Sequence, residues 1–232
     1  MSTSATGTPV SGHPAFVRYP AQSAFGRVLP KNKIYEHGGA STRLKELFVQ
    51  QVEQIVWQSK LAPETINLPV RPGVPEIQIF AIRLKTLELH RDVLRCIDGA
   101  VQFPVVFELH ADDRTQVVAC YKRPNEADAA RWVQSAYFAT PWLPGSAQRA
   151  DLPLTLDLGA LYEQLVRRLV PLHERPDEAL PALIARHEQV VARQREVDKI
   201  ASQLAQEKQF NRKVEINARL RRLQAELDEW RR

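Results

Sequence analysis

Acids and lysines that alternate with apolar residues on extended segments are the side chains of this chain best placed to do chemistry. Glu76, Lys85, Glu108 and Lys122 are four of them. An acid on one strand with Glu-x-Lys on the next can hold Mg²⁺ while the lysine supports a water attacking a phosphodiester. Here the second strand ends Cys120-Tyr121-Lys122, with a thiol where a carboxylate belongs. The ligand pair is therefore incomplete. Glu108 and His110 share a strand face by the two-residue period, which reads first as an edge-facing pair.

A second constellation gathers Lys60, Glu64, Thr65 and Asn67 where a helix hands over to a strand, either as a binding loop or as ordinary capping. Together with Lys85, Lys122 and Arg123 on the sheet segments and Arg212 and Lys213 near the C-terminus, these are the candidate binding residues. No phosphate-cradling glycine loop, no Gly-x-Ser-x-Gly elbow and no CxxC pair occurs. The six histidines never approach metal-ligand spacing. Neither a metal site nor a cofactor is expected, and no catalytic residue can be assigned.

The elements that would position these groups follow from periodicity. After Gly38-Gly39, Ser41 or Thr42 can cap a helix carrying Leu44, Leu47, Phe48, Gln51, Val52, Ile55 and Val56 on one face, ending by Ala62 because Pro63 follows. A short extended piece, Thr65-Ile66-Asn67-Leu68, and a Pro/Gly turn lead to Glu76 to Lys85, an apolar run that reads as a strand buried on both faces. A helix over Glu88 to Val101 comes next. Phe103 to Leu109 and Thr115 to Lys122 then form a hairpin across a polar corner.

Gln134 to Thr140 suits a further strand. Trp132, Tyr137, Phe138 and Trp142 around it fit a core, or a base-stacking surface if they are exposed beside Arg131 and Arg149. Leu158 to Val170 closes the domain as a helix. The fold class is α/β: a single mixed-sheet α/β domain with flanking helices over residues 29–175, plus a long C-terminal helical, coiled-coil-like extension over 177–232. Residues 1–28, rich in Ser, Thr, Pro, Ala and Gly, read as a flexible arm.

Composition bounds the class. Apolar content of 44% and charged content of 25% are ordinary for a globular chain. No run approaches the roughly 18 apolar residues of a membrane span, and the N-terminus lacks a signal-peptide pattern, so a cytoplasmic protein without membrane contact is expected. Cys96 and Cys120 sit in apolar patterns and read as buried thiols.

The extension carries most of the net charge of +5: Leu183 to Arg232 holds twelve Lys/Arg and eight Asp/Glu. Such a helix can follow a phosphate backbone, meet an acidic protein or simply be solvated. Val190, Val197 and Leu204 repeat every seven residues, and a second frame appears at Ile216, Leu220, Leu223 and Leu227. That frame change marks a coiled-coil discontinuity or a helix turning back on itself, with a break near 206–217. An apolar seam of this length needs a partner, which makes these seven residues candidates for self-association.

The run Ile55 to Leu68, the strand Glu76-Ile77-Gln78-Ile79-Phe80, Phe103-Pro104-Val105, Tyr121-Lys122-Arg123, Tyr137-Phe138 with Trp142, and the tail segment Glu207 to Asn217 resemble the bacterial family called domain of unknown function 4391. The resemblance implies a gene neighbourhood of DNA methyltransferases and helicases, in restriction-modification or phage-defence clusters. It supplies no catalytic residues. The expectation that follows is a non-catalytic accessory subunit working through protein contacts, with a methyltransferase or helicase as partner and DNA as a further contact. The alternatives are a degenerate Mg²⁺-dependent restriction-type nuclease and a self-associating coiled-coil scaffold forming a homo-oligomer through its C-terminal helix.

Overall fold

The computed structural model describes residues 16–232 apart from 126, 129 and 130. The chain divides after Leu169 into two compact units.

The first unit is built on a mixed sheet. Its elements are β1 (Val17–Arg18), β2 (Ala24–Val28), α1 (Lys31–Gly38), α2 (Thr42–Gln51), β3 (Val52–Leu61), α3 (Pro63–Ile66), β4 (Ile77–Leu84), α4 (Arg91–Ala100), β5 (Val105–Ala111), β6 (Arg114–Pro124), β7 (Trp132–Ala139), β8 (Leu143–Pro144), β9 (Ala150–Asp151) and α5 (Leu158–Arg167). The strand order is β2-β3-β4-β5-β6-β7, with β8 also paired to β6. Within this sheet β4 and β5 are the parallel pair, because α4 provides the crossover that such a pair requires; β1 and β9 form a separate parallel pair. The other neighbours in this sheet are antiparallel: a tight turn joins β5 to β6, whereas α1 and α2 lie between β2 and β3, and α3 between β3 and β4.

Alternation assigns the two faces. Phe80, Ile82, Phe107, Leu109 and Val118 point to one side, where they form a single core with Ile34 of α1, Phe48 of α2 and Val93, Leu94 and Ile97 of α4. The alternate residues Ile79, Val106, Glu108, Val117 and Ala119 are buried on the other. Rings of Phe25, Trp57, Phe80, Phe107 and Tyr137 run across the helix-covered face as a ladder, with successive centroids 4.2 to 6.4 Å apart. Such cross-strand pairs fix register as well as bury area.

The largest departure from the periodicity argument is at α2. Ser41 caps it, accepting from the Leu44 amide, but the helix stops at Gln51 and the chain passes straight into β3. Val52 and Ile55, three residues apart, follow the helical period, and they share one face of the strand only because its register shifts between Val52 and Gln54, so spacing alone pointed to a continuing helix. The β-branched and aromatic residues Val52, Ile55, Val56 and Trp57 favour the strand, which fills the place between β2 and β4. Two ammonium groups stabilise the abrupt end: Lys31 donates to Val52 O at 2.5 Å and Lys85 to Val49 O at 2.7 Å. These are the carbonyls that a helix terminus leaves without partners.

Two further expectations change. Thr65 and Ile66 lie in α3 rather than in an extended piece, because Pro63 starts a helical turn that Asn67 closes in a left-handed conformation. Of the arm expected over 1–28, residues 1–15 lie outside the described residues, but Val17–Arg18 pairs with β9 and Ala24–Val28 forms the terminal strand of the sheet. Alternation in that stretch is too short to register as a pattern.

β7 carries one extra residue opposite Tyr121, since Cys120 pairs with Tyr137 but Lys122 with Gln134. The Ser135 hydroxyl accepts the Tyr121 amide there at 2.8 Å, taking the place of a ladder bond.

The second unit is a helical hairpin, not one rod. α6 (Leu180–Gln206) and α7 (Phe210–Arg231) are separated by Glu207 to Gln209 and pack on each other in antiparallel fashion, with Arg219 reaching Glu196 and Arg231 reaching Gln194. Val190, Val197 and Ile200 of α6 and Leu220, Leu223 and Leu227 of α7 are buried, while Leu204 and Ile216 near the turn are half-buried. The change of heptad frame is thus the fold-back, and the seam proposed for self-association meets its own chain. At the open end Arg186 is buried. Its guanidinium donates to both Glu178 oxygens at 2.8 and 2.7 Å, to His173 O and to Trp230 O.

Candidate functional site

Two buried ion pairs occupy opposite faces of the sheet. On the helix-covered face, Lys122 lies in β6 with its ammonium against the last turn of α4, donating to Asp98 O at 2.6 Å and to Val101 O. The Asp98 carboxylate is 3.5 Å away and also receives the Tyr137 hydroxyl and, at 3.4 Å, the Cys120 thiol. Burial pushes the Asp98 carboxyl up while Lys122 and Tyr137 hold it down, and burial lowers Lys122. The Trp132 ring covers the ammonium at 5.5 Å. From α5, Tyr162 accepts the Lys122 amide and donates to Cys120 O, serving β6 where it runs past the start of β5. The ammonium therefore caps a helix C-terminus, and its proximity to a carboxylate is internal neutralisation.

On the other face, Glu108 is fully buried and held by both arms of Arg149 at 2.7 and 2.9 Å. Arg149 also donates to Val17 O. Burial and the Glu108 carboxylate beside it push the Tyr19 phenol up. Burial lowers His110, which stands 3.9 Å from Glu108 and bonds Thr115. Glu108 is thus a buried anchor on a central strand rather than an edge-facing acid. It is separated from Lys122 by the thickness of the sheet, so the acid and lysine of the incomplete nuclease pattern cannot meet one phosphate.

The structure brings together part of the Lys60 group. Lys60 pairs with Glu64 at 2.8 Å and with Glu76 at 3.1 Å. Glu76 in turn accepts from Gln78 at 2.6 Å. The Thr65 hydroxyl caps α3, donating to Lys60 O and accepting from Ala62 N, whereas Asn67 ends the helix outside the ion cluster. Lys85 is the α2 cap already described. Arg123 lies at a small recess beside Arg71, Tyr121 and Glu163. Arg212 stands 3.5 Å from Glu207 at the hairpin turn, with Lys213 exposed beside it.

An apolar concavity of the first unit lies between α1 and the C-terminal end of α4. This cleft of about 340 Å³ has Trp57, Gln78 and Phe80 as floor, Ile34 and His37 on one wall and Val101 to Phe103 on the other. Its size and apolar lining with a few polar groups suit a small ligand or an apolar side-chain cluster. α1 and α4 meet closely beyond it, where a Cβ on Gly38 would stand 2.5 Å from Cys96 O. Gln78 connects the cleft to the Lys60 group through Glu76. Beside it, Phe25 of β2 packs against Trp57 with the rings tilted by 37°.

A family model described as Domain of unknown function (DUF4391) matches residues 17–227. The chain belongs to this family. No curated protein and no solved structure matches it. Among the described residues of this family member, no group of three or more His, Cys, Asp or Glu could hold a metal ion, and no helix is long and apolar enough to cross a membrane. Cys96 and Cys120 are buried free thiols.

The sequence reading overlooked Asp98, Tyr162 and the cleft, and it placed Arg149 beside the aromatic cluster without its partner Glu108. Asp98 had a signal: it stands four residues after Leu94 and three before Val101, on the buried stripe of α4, where an acid requires a cationic partner. The pairings of Arg149 and Tyr162 had none, since their partners are 41 and 40 or more residues away in sequence.

Proposed function

We propose that this chain is a non-catalytic accessory subunit of a cytoplasmic bacterial DNA-modification, helicase or phage-defence assembly, held there by protein contact at the β2 edge. The observation that carries the reading is the state of that edge. Among the described residues β2 pairs with β3 alone, all five of its residues are exposed, and Phe25 and Val28 are 45% and 52% exposed beside the apolar cleft. An unpaired edge with apolar side chains is a template for another strand, and natural proteins otherwise blunt such edges.

An extended partner segment hydrogen-bonded along β2 would direct its side chains toward Trp57 and the cleft, the arrangement of strand addition. Lys33 on the rim, paired with Glu36 at 3.1 Å, would share its charge with an acid flanking the segment's apolar residues. The partner class, a methyltransferase or helicase, rests on the gene neighbourhood that the family resemblance implies. The separation of Glu108 from Lys122 speaks against the nuclease alternative.

Co-expression with the methyltransferase or helicase encoded beside it, followed by affinity capture, tests this. The wild type should retain one of them, and Phe25→Asp with Val28→Lys should lose it while keeping the native circular dichroism spectrum. Capture of neither by the wild type would sink the accessory-subunit reading. Undiminished capture by the double variant would sink docking at β2.

A further inference from the structure

The charge of the hairpin is distributed unevenly along its length. Between Lys199 and Arg222, the part that contains the turn, there are seven Lys/Arg and two Glu, a net of +5 that equals the net charge of the entire chain. The remainder of α7 holds Glu226, Asp228 and Glu229 against Arg231. Nothing in the packing of α6 on α7 requires this segregation, because the seam residues are apolar in both halves.

Two of the seven cations are engaged locally, Arg212 with Glu207 at 3.5 Å and Arg219 with Glu196 at 3.3 Å. Lys199, Lys208, Lys213, Arg221 and Arg222 are exposed and make no salt bridge among the described residues. With Leu220 and Leu223 turned into the hairpin, helical periodicity places Val214, Arg221 and Arg222 on the outer side of α7. Directly after the turn, Phe210 is 77% exposed, the most exposed ring in the hairpin. A large ring left in water at the tip of a basic helix pair contributes nothing to the fold.

We propose that the turn-proximal half of the hairpin binds the phosphate backbone of single-stranded nucleic acid, with Phe210 stacking on an unpaired base. The stretch of α7 from Phe210 to Arg222 is roughly 18 Å long at 1.5 Å per residue. That matches several consecutive phosphates, along which Lys213, Arg221 and Arg222 displace condensed counterions, with Lys208 of the turn and Lys199 of α6 adding to them. A cationic groove or ridge with a stacking ring is the usual composition of a sequence-tolerant single-strand binder. The proposal is independent of docking at β2: the hairpin can bind nucleic acid whether or not a protein partner is captured there.

Fluorescence anisotropy of the full chain with a labelled single-stranded oligonucleotide, titrated at several salt concentrations, tests it. The wild type should bind with an affinity that falls steeply with salt. Lys213→Gln with Arg221→Gln and Arg222→Gln should weaken binding more than tenfold and reduce the salt slope by about 2. Phe210→Ala should weaken single-strand binding at least threefold with the slope unchanged, and leave duplex binding as it was. These positions are exposed, so circular dichroism should not change. Absence of binding at about 50 mM salt would overturn the proposal, as would a triple variant that binds like the wild type. Displacement of the oligonucleotide by polyglutamate at equal charge, with no effect of Phe210→Ala, would assign the surface to an acidic protein instead.

Discussion

Three lysines of this protein act on backbone carbonyls. Lys31 and Lys85 close the end of α2, and Lys122 closes the end of α4 from within the core. That use explains why two of the candidate binding lysines, at 85 and 122, are already engaged inside the fold. It also makes a prediction about Lys122. Replacing it with Met leaves the Asp98 carboxylate buried without its cation, which costs about 3 to 5 kcal/mol when one partner of a buried pair is removed. Asp98→Asn in the Lys122→Met background should recover part of that loss. Chemical denaturation of the two single variants and the double would measure it, and strictly additive losses would show that the pair is not coupled.

At the scale of elements, tight contacts and short junctions decide the layout. Gly38 lets α1 lie against Cys96 of α4, so Gly38→Ala should push the helices apart, widen the cleft and lower stability by about 1 to 3 kcal/mol, read as a shift in the denaturation midpoint. Seam truncation in the hairpin has a different signature. Leu223→Ala should destabilise α6 and α7 by about 2 to 5 kcal/mol without changing the mass read by light scattering, because the seam is internal. A fall in mass on that substitution would restore the self-association scaffold. Much of this layout is legible in the sequence: β4, α4, the β5–β6 hairpin and α5 stand out through strong periodicity and clear breakers. α2 and β3 do not, since the register shift at the start of β3 carries the helical spacing across the junction and the helix ends on two distant lysines instead of Gly or Pro. The Lys60 group was visible because its members are adjacent in sequence. The cleft was not, because its lining comes from five separate segments that only the sheet assembles.

At the scale of the molecule, each unit has its own polar anchor. In the hairpin unit, hydrogen bonds from Arg186 hold the Glu178 carboxyl below the usual range. A carboxyl depressed in the folded state adds stability that is complete above its unfolded value and vanishes as pH falls through the folded one. Melting followed by helical circular dichroism should therefore show a loss below the ordinary glutamate value of about 4.3, and Glu178→Gln should remove that part of the pH dependence. In the sheet unit, the extra residue in β7 has an effect out of proportion to its size. Odd and even positions exchange sides at Ser135 and Ala136, so Trp132 arrives on the same face as Lys122 although it is five residues from Tyr137. Shortening β7 by one residue there would preserve nearly all of its composition and send the indole to the reverse side of the sheet, uncovering the ammonium. Sequences of this family that differ by a single deletion at that point would share every residue type and yet be wired as a different core.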